Sequence, residues 1–474
     1  FTNYPHIGPD TADFLDWMAK QGFNQFMVNL AVRGAWETCR DHLLPAARLR
    51  GIETTVGHHS FHFWVPPAEF FDVHPDYFAL IDGQRRPDAQ LCTSNPEVRR
   101  LVAERIVEFL RANPEIREVG LWPRDGFGWC QCPDCAAEEP QEPSWWDPAQ
   151  PRRTDTYLGF VNAVAEAVSE EIPGARISAL AYLNYVEPPR DVRPADNVII
   201  YFAPFMRCFK HPLGATECQR RNPKYSELIL QWREVAQELR LFAYLMQIDT
   251  FSLPYRLTNM LEPNLDFLEQ VGVDGWVMEY DVRDWATFSA NAYVIAKLSW
   301  KTAAQPETLS PAPSRKGEAL LRDFLYPALY GPAADDMAEY FSHIAELMVE
   351  SGPCTGHYDL TWAMRATPEY LRPALAALGR ASAAAARDRK AWSAVRRAAA
   401  SVEFLLRVGR WQRALADLRE ASEYTRKRKM ELACWAADQV VEWAEGHSDL
   451  GIINAPKIVS RLRREMERWL QAAP

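Results

Sequence analysis

The chain has 474 residues, which is too long for one ordinary domain and predicts two or three. Its composition is that of a globular protein, with 48% hydrophobic and 24% charged residues, and no apolar run is long enough to span a bilayer. The net charge of −10 provides no basic face to neutralise phosphates, which argues against nucleic acid as the main partner.

Short apolar segments alternate with amphipathic segments over roughly the first 300 residues. Strands are predicted at residues 1–4, 23–30, 52–58, 118–122, 177–185, 197–202, 241–248 and 275–280. Helices are predicted between them at residues 10–20, 36–50, 96–111, 157–171, 225–239 and 263–271. This alternation predicts parallel strands joined by crossover helices, and eight such units fit a (β/α)₈ barrel. An open doubly wound sheet is the alternative, and the lack of a glycine-rich phosphate loop after any strand disfavours it.

The composition changes after Trp300. Residues 301–316 are rich in Pro, Ser, Thr and Ala, which indicates a linker, and helical periodicity continues from about Gly317 to the end. We therefore predict an α/β fold with a TIM barrel over residues 1–305, followed by an all-helical C-terminal domain over residues 306–474. Because the chain begins with Phe and with what resembles the tail of a strand, we expect the barrel domain to have further residues upstream.

Catalytic groups of a (β/α)₈ barrel lie in the loops that follow the strands. Asp125 follows the fourth predicted strand, in a loop with several aromatic residues, and is the first candidate for a catalytic carboxylate. Its alternative role is that of a turn residue, since Asp-Gly is a common turn pair. Glu279 stands out as the only carboxylate embedded in an apolar strand, a position that is costly unless the group is paired or functional. Asp249, after the seventh strand, is a third candidate that could instead cap a helix.

Polar and aromatic side chains follow the other predicted strands, a combination that suits a sugar better than an apolar ligand. The candidates for contact with a substrate are His58, His59, Trp122, Arg124, Trp129, Tyr185, Arg207, Tyr280 and Trp285. The chain has no P-loop, no GxSxG elbow and no HExxH helix. These patterns predict a carbohydrate site whose partner is a glycan or oligosaccharide.

Cys130, Cys132 and Cys135 form a C-x-C-x-x-C cluster shortly after Asp125. Such close cysteines do not pair easily with one another, and their spacing is typical of a metal site or a buried thiol cluster. Tetrahedral zinc needs a fourth ligand, for which the chain offers four donors: Cys92, Cys208, Cys218 and His211. We expect the cluster to hold the Asp125 loop, with zinc as a structural ion, and no cofactor to be required for catalysis.

Several of these segments resemble, in order, the motifs of one family. They are residues 74–83, 90–98 and 125–135, then Cys208, His211, Cys218 and Asn222, then residues 293–300 and 330–334. The family is a bacterial one long described as a domain of unknown function and now partly placed in glycoside hydrolase family 163. The resemblance covers nearly the whole chain.

The resemblance implies a TIM-barrel glycoside hydrolase. Characterised relatives are endo-acting β-N-acetylglucosaminidases that release GlcNAc-linked antennae from complex N-glycans with retention. The barrel is also similar to the hexosaminidases of glycoside hydrolase family 20, in which an Asp-Glu pair ends the fourth strand. Asp125 falls at the Asp position, but Gly126 stands where that family has Glu, so the resemblance does not identify the general acid. The alternatives are a glycosidase for another polysaccharide and a non-catalytic glycan-binding protein on a barrel scaffold.

Overall fold

The computed structural model describes residues 2–3, 11–138, 142–245, 253–254, 256–280, 285–300, 316–350, 352, 354–356, 359–450, 452 and 455–471. The chain divides into two compact units. The first, here called the barrel unit, comprises Phe1–Phe205, Lys224–Tyr244 and Phe267–Tyr280. The second, the helical unit, comprises Met206–Pro223, Leu245–Asp266 and Asp281–Pro474. The domain boundary predicted at residue 305 lies outside the described residues.

Eight parallel strands close the barrel in the order β1-β10-β9-β8-β7-β6-β3-β2. They are β1 (Thr2–Asn3), β2 (Gln25–Asn29), β3 (Glu53–Gly57), β6 (Glu118–Gly120), β7 (Arg176–Ala181), β8 (Val198–Phe202), β9 (Glu238–Ala243) and β10 (Gly275–Tyr280). Two further strands, β4 (Leu80–Ile81) and β5 (Gln84–Arg85), form a separate antiparallel hairpin. The predicted TIM barrel is confirmed, and the closed order replaces the open-sheet alternative.

Several strand boundaries differ from the prediction, and two of the differences have a clear physical reason. The fifth barrel strand, β7, ends before Leu183, which has a φ of 46° that an extended strand does not permit. The seventh barrel strand, β9, begins at Glu238 rather than at residue 241. Its first residues were not predicted as part of the strand, because the side chains of Glu238 and Arg240 are charged. Both charges take part in ion pairs.

Helices follow the strands of the barrel, and the helices before residue 172 lie entirely within the barrel unit. Asn95 begins α5 by accepting a hydrogen bond from the backbone N–H of Glu97 at 2.9 Å, with Pro96 at the first helical position. The helices of this region are α1 (Thr11–Gln21), α2 (Ala35–Leu49), α3 (Phe61–Trp64), α4 (Pro67–Phe70), α5 (Pro96–Ala112), α6 (Pro133–Ala137), α7 (Thr154–Glu171), α8 (Asn222–Val235) and α9 (Thr258–Val271).

The helical unit confirms the helical pattern read after residue 316. Asp388 caps its longest described helix by accepting hydrogen bonds from the backbone N–H groups of Lys390 and Ala391. The buried rings of Phe404 and Trp443 stack with centroids 5.1 Å apart. None of the described helices has an apolar stretch that would reach across a bilayer. The helices are α10 (Trp285–Ser299), α11 (Lys316–Leu320), α12 (Tyr326–Tyr330), α13 (Ala334–Glu350), α14 (Arg372–Ala385), α15 (Arg389–Arg419), α16 (Glu423–Gly446) and α17 (Ala455–Gln471).

A polar network occupies the barrel interior near the N-terminal ends of the strands. The carboxylate of Glu118 is fully buried and lies 2.9 Å from the guanidinium of Arg240. It also accepts hydrogen bonds from Tyr201 at 2.9 Å and from Gln25 at 3.1 Å, while Arg176 lies 3.7 Å away. Burial raises the pKa of Glu118, and the charge of Arg240 opposes that shift.

Glu118 is a second carboxylate within an apolar strand. The expectation that Glu279 is the only carboxylate within an apolar strand is wrong, because Glu118 begins the apolar strand β6 and has no exposed surface. Active-site loops of this fold follow the C-terminal ends of the strands, whereas Glu118 is the first residue of its strand. We therefore assign Glu118 and its hydrogen-bond partners a role in the stability of the barrel.

We expect Arg240→Met to destabilise the barrel by about 3–5 kcal/mol, because it leaves the Glu118 charge buried without its closest cation. The double variant Glu118→Gln/Arg240→Met should recover much of that loss. Chemical denaturation measures both effects. Glu104→Gln, which removes the exposed pair with Arg100, is the control and should leave the midpoint almost unchanged. A normal midpoint for Arg240→Met would contradict this account of the network.

Candidate active site

Asp125 lies in an irregular loop between the end of β6 and the start of α6. Its side chain is 69% exposed and is approached from two other strand ends. Tyr182, which follows β7, donates a hydrogen bond from its hydroxyl to Asp125 Oδ1 at 3.3 Å. His59, which follows β3, places Nε2 3.8 Å from the same oxygen. Three strand ends thus meet at one carboxylate on the C-terminal side of the barrel.

The protonation of His59 follows from its other hydrogen bond. Its Nδ1 lies 2.5 Å from the carbonyl oxygen of Pro123, and because a carbonyl only accepts, Nδ1 carries the hydrogen. Burial lowers the pKa of His59, and the nearby Asp125 opposes that shift. The ring is therefore neutral at pH 7, and its Nε2 lone pair faces the Asp125 carboxylate. Two acceptors 3.8 Å apart can share one N–H or O–H donor of a ligand in a three-centre hydrogen bond.

Aromatic rings continue the site away from Asp125. The ring of Tyr182 lies 5.3 Å from that of Phe205, which in turn lies 5.7 Å from the ring of Tyr244. Trp146 stacks on Phe205 at 6.2 Å, and Phe127 lies 6.2 Å from Trp146. None of these five residues is among the contacts predicted from the sequence. Position could have indicated three of them, because Tyr182, Phe205 and Tyr244 closely follow the ends of β7, β8 and β9.

Two predicted contacts, His58 and Trp122, are buried, and His58 lies beside His59. His58 has a φ of 71°, which is uncommon for a residue other than glycine, and its ring lies 4.6 Å from that of His59. Burial holds the pKa of His58 well below its ordinary value. Trp122 is fully buried and contacts both His58 and Phe242, with ring centroids 5.4 and 5.6 Å apart. Its role as a substrate contact stays a prediction.

Glu279 faces the interior of the barrel by strand register. Phe242 of β9 points inward, since its ring contacts Trp122, and it is paired with Val277 of β10. Paired residues of neighbouring strands share a face, and the face alternates along each strand, so Glu279 shares the inward face of Val277. Glu279 is half-buried and pairs with Thr2 near the C-terminal end of β10, the same end of the barrel as Asp125.

Gln90 holds the Asp125 loop through both ends of its side-chain amide. Its Oε1 accepts from the backbone N–H of Arg124 at 2.8 Å, and its Nε2 donates to the carbonyl oxygen of Arg124 at 2.7 Å. Nε2 also lies 3.2 Å from the carbonyl oxygen of Phe127. Gln90 is fully buried, so these bonds are shielded from water. No local pattern in the sequence indicates this role, because the partners are more than thirty residues apart.

The C-x-C-x-x-C cluster is completed by Cys92. Its sulfur lies 3.7 Å from those of Cys130 and Cys132 and 3.9 Å from that of Cys135. The four ligand atoms lie within 4.8 Å of one another, and all four residues are buried. The guanidinium of Arg85 lies 3.8 Å from the sulfur of Cys130. Of the fourth ligands considered from the sequence, Cys92 is the one in contact with this cluster, whereas Cys208, Cys218 and His211 belong to the helical unit.

The remaining predicted residues are spread more widely. Trp129 and Tyr185 are buried against one another at 5.4 Å, and Trp129 donates to Asn184 at 3.2 Å. The side chain of Arg124 is exposed. Arg207 is buried in the helical unit, where it donates to Asn264 at 3.1 Å. Three predictions lie outside the described residues: Asp249 and the side chains of Tyr280 and Trp285.

Comparison with known proteins supports the fold. Residues 24–343 match a family described as Domain of unknown function (DUF4838). Among curated proteins, none matches the chain. One similar solved structure is described as a GH138 enzyme targeting pectin rhamnogalacturonan II, with a TM-score of 0.50 and 9% identity over 99% of this chain and 80% of that one. Another is CpGH89 from Clostridium perfringens, described in complex with its substrate GlcNAc-alpha-1,4-galactose, with a TM-score of 0.50 and 12% identity over 92% of this chain and 51% of that one. At these identities the likeness shows a shared fold.

We expect Gln90→Leu to release the Asp125 loop, because the backbone groups of Arg124 and Phe127 lose their buried partner. Trypsin should then cleave after Arg124 faster than in the wild type, and hydrogen exchange should rise over residues 121–129. Gln84→Leu, on the exposed hairpin strand β5, is the matched control and should leave both measurements unchanged. Unchanged cleavage after Arg124 in Gln90→Leu would contradict the role of the clamp.

Proposed function

The chain belongs to the family described as Domain of unknown function (DUF4838), and from that premise we propose that it is a glycoside hydrolase. The observation that carries the proposal is the environment of Asp125, an exposed carboxylate held by Tyr182 beside a neutral His59 at the C-terminal side of a TIM barrel. The fold adds support, because the two solved structures named above are described as a GH138 enzyme that targets a pectin and as CpGH89 in complex with a GlcNAc-containing substrate. Asp125 and Glu279 are the proposed catalytic carboxylates, with Asp249 as the reserve.

The proposed substrate carries a β-linked 2-acetamido sugar, as in GlcNAc-containing glycans such as complex N-glycans. The amide N–H of such a group is a donor that Asp125 Oδ1 and His59 Nε2, 3.8 Å apart, can share. Held there, the acetamido oxygen attacks the anomeric carbon while the bond to the leaving oxygen breaks. Glu279 supplies a proton to the leaving oxygen. Water then opens the cyclic intermediate and returns a proton to Glu279, and two inversions at the anomeric carbon give retention.

The aromatic rings beyond Asp125 support an oligosaccharide rather than a single sugar. Phe127, Trp146 and Phe205 form a continuous series of neighbouring rings, and flat apolar faces of this kind stack on sugar rings. A surface longer than one ring favours endo cleavage within a chain. This matches the activity implied by the resemblance to glycoside hydrolase family 163.

Zinc held by Cys92, Cys130, Cys132 and Cys135 would act as a structural ion in this proposal. Four thiolates fill a tetrahedral coordination sphere and leave no open position for water or substrate. The cluster is buried among Ala79, Ala89 and the hairpin residues Leu80 and Ile81. Cys92 lies two residues after Gln90, so the metal would fix the segment that clamps the Asp125 loop. Catalysis itself needs no cofactor.

We expect Asp125→Asn to reduce turnover of an aryl β-N-acetylglucosaminide by about 100-fold or more with a smaller change in KM, as loss of a group that acts in the transition state does. The neutral amide keeps the size of the side chain but cannot stabilise the developing charge. Steady-state kinetics measure the effect, and product analysis on a biantennary glycan tests the endo mode.

Asp88→Asn is the matched control for Asp125→Asn, because its side chain is 68% exposed and pairs weakly with Arg86. It should keep wild-type kinetics. Wild-type turnover by Asp125→Asn would refute the catalytic assignment. Glycan binding without release of a reducing sugar by the wild type would instead favour the glycan-binding alternative.

Glu279→Gln should lose cleavage of a natural glycan while keeping much of its rate on an aryl glycoside with a very good leaving group. Such a leaving group departs with little protonation, so it bypasses a missing general acid. The ratio of the two rates is the measurement, with thermal melting to check folding. An equal loss on both substrates would remove Glu279 as the general acid and favour Asp249.

A further inference from the structure

A second cluster of metal-ligand side chains lies in the helical unit. Cys208, His211, Cys218 and Cys354 place one ligand atom each within 4.8 Å of one another. We propose that these residues form a second structural zinc site, distinct from the cluster that contains Cys92. It holds one Zn²⁺ through three thiolates and one imidazole.

The distances fit a shared ion better than a disulfide. With zinc about 2.3 Å from sulfur and about 2.0–2.1 Å from nitrogen, a tetrahedron separates two sulfurs by about 3.8 Å and sulfur from nitrogen by about 3.6 Å. His211 Nδ1 lies 3.4 Å from the sulfur of Cys208 and 3.7 Å from that of Cys354. The sulfurs of Cys218 and Cys354 are 4.0 Å apart, against about 2.05 Å in a disulfide.

Hydrogen bonds organise the ligand loops around the site. Asn222 is fully buried, accepts from the backbone N–H of Cys208 at 2.7 Å and donates to the carbonyl oxygen of His211 at 2.7 Å. The backbone N–H of Phe209 donates to the carbonyl oxygen of Thr355 at 2.9 Å, which joins the two loops that carry Cys208 and Cys354. Such second-layer contacts orient metal ligands before the ion binds.

A backbone donor contacts one thiolate of the site. Three thiolates and a neutral imidazole around Zn²⁺ carry a net charge of about −1, which nearby donors must offset. The backbone N–H of Lys210 lies 3.4 Å from the sulfur of Cys208, a contact that favours the thiolate.

The cysteines outside both clusters differ in their contacts from the clustered cysteines. Seven of the nine cysteines belong to the two clusters, and the other two are Cys39 and Cys434. Cys39 behaves as an isolated buried thiol, since its sulfur donates to the carbonyl oxygen of Trp36 in its own helix. The clustered sulfurs instead face one another, across 136 residues of chain for Cys218 and Cys354. Four protein ligands close the coordination sphere, so the ion would stabilise the helical unit without acting on a substrate.

Metal content of the full chain, purified with zinc and without chelators, tests the proposal. We expect two zinc ions per chain in the wild type and one in Cys354→Ser. Cys92→Ser should also retain one, because it removes the other site, and Cys434→Ser is the control that should retain two. Co²⁺ substituted into Cys92→Ser should give the absorption of a tetrahedral three-sulfur, one-nitrogen site.

His211 gives a second variant in case Cys354→Ser fails to fold. His211→Ala should lose one zinc ion, whereas His211→Cys should retain both and shift the Co²⁺ spectrum towards that of four thiolates. A zinc content that His211→Ala leaves at the wild-type value, or a Cys218–Cys354 disulfide found by mass after purification in reductant-free buffer, would overturn the second site. Zinc content is independent of turnover, so this outcome is separate from any failure of the glycosidase proposal.

Discussion

The buried amide of Gln90 is the contact on which the candidate site depends most. A loop without regular secondary structure must still satisfy its backbone polar groups, and Gln90 does so at Arg124, the residue next to Asp125. The backbone of Gln90 is itself fixed, since its carbonyl oxygen accepts from the N–H of Ala79 at 2.9 Å and its N–H donates to the carbonyl oxygen of Gly128 at 3.1 Å. The hairpin, the cysteine cluster and the Asp125 loop therefore form one connected assembly, and the position of the carboxylate follows from all three.

The barrel separates its stabilising charges from its proposed reactive ones. Glu118 and Arg240 lie near the N-terminal ends of the strands, where Tyr201 and Gln25 complete their hydrogen bonds. Asp125 and His59 follow the C-terminal ends, where solvent reaches the carboxylate. Burial acts differently at the two ends. It raises the pKa of a carboxyl group in the network, whereas it keeps the imidazole of His59 neutral beside Asp125. A neutral imidazole accepts a hydrogen bond at Nε2, and that property makes the pair suitable for an amide N–H.

Both cysteine clusters join segments that the chain separates widely. Cys92 meets Cys135 across 43 residues, and Cys218 meets Cys354 across 136. Loops rich in turns cannot bury enough apolar surface to fix their own conformation, and a closed metal site provides that constraint with few residues. The first cluster would fix the loop that presents Asp125. The second would do the same for the segment that follows β8, which belongs to the helical unit.

The sequence by itself determined the barrel, the helical C-terminal region, Asp125 after the fourth strand and three of the four cysteines of the first cluster. Each of these depends on local information, namely the spacing of apolar residues or neighbours within a few positions. Tertiary structure alone decided that Glu118 is buried, that Cys92 completes the first cluster, that Cys208, His211 and Cys218 form another with Cys354, and that Gln90 clamps the loop. Ion pairs, metal ligands and loop contacts join residues far apart in the chain, and no periodic pattern records which distant partners meet.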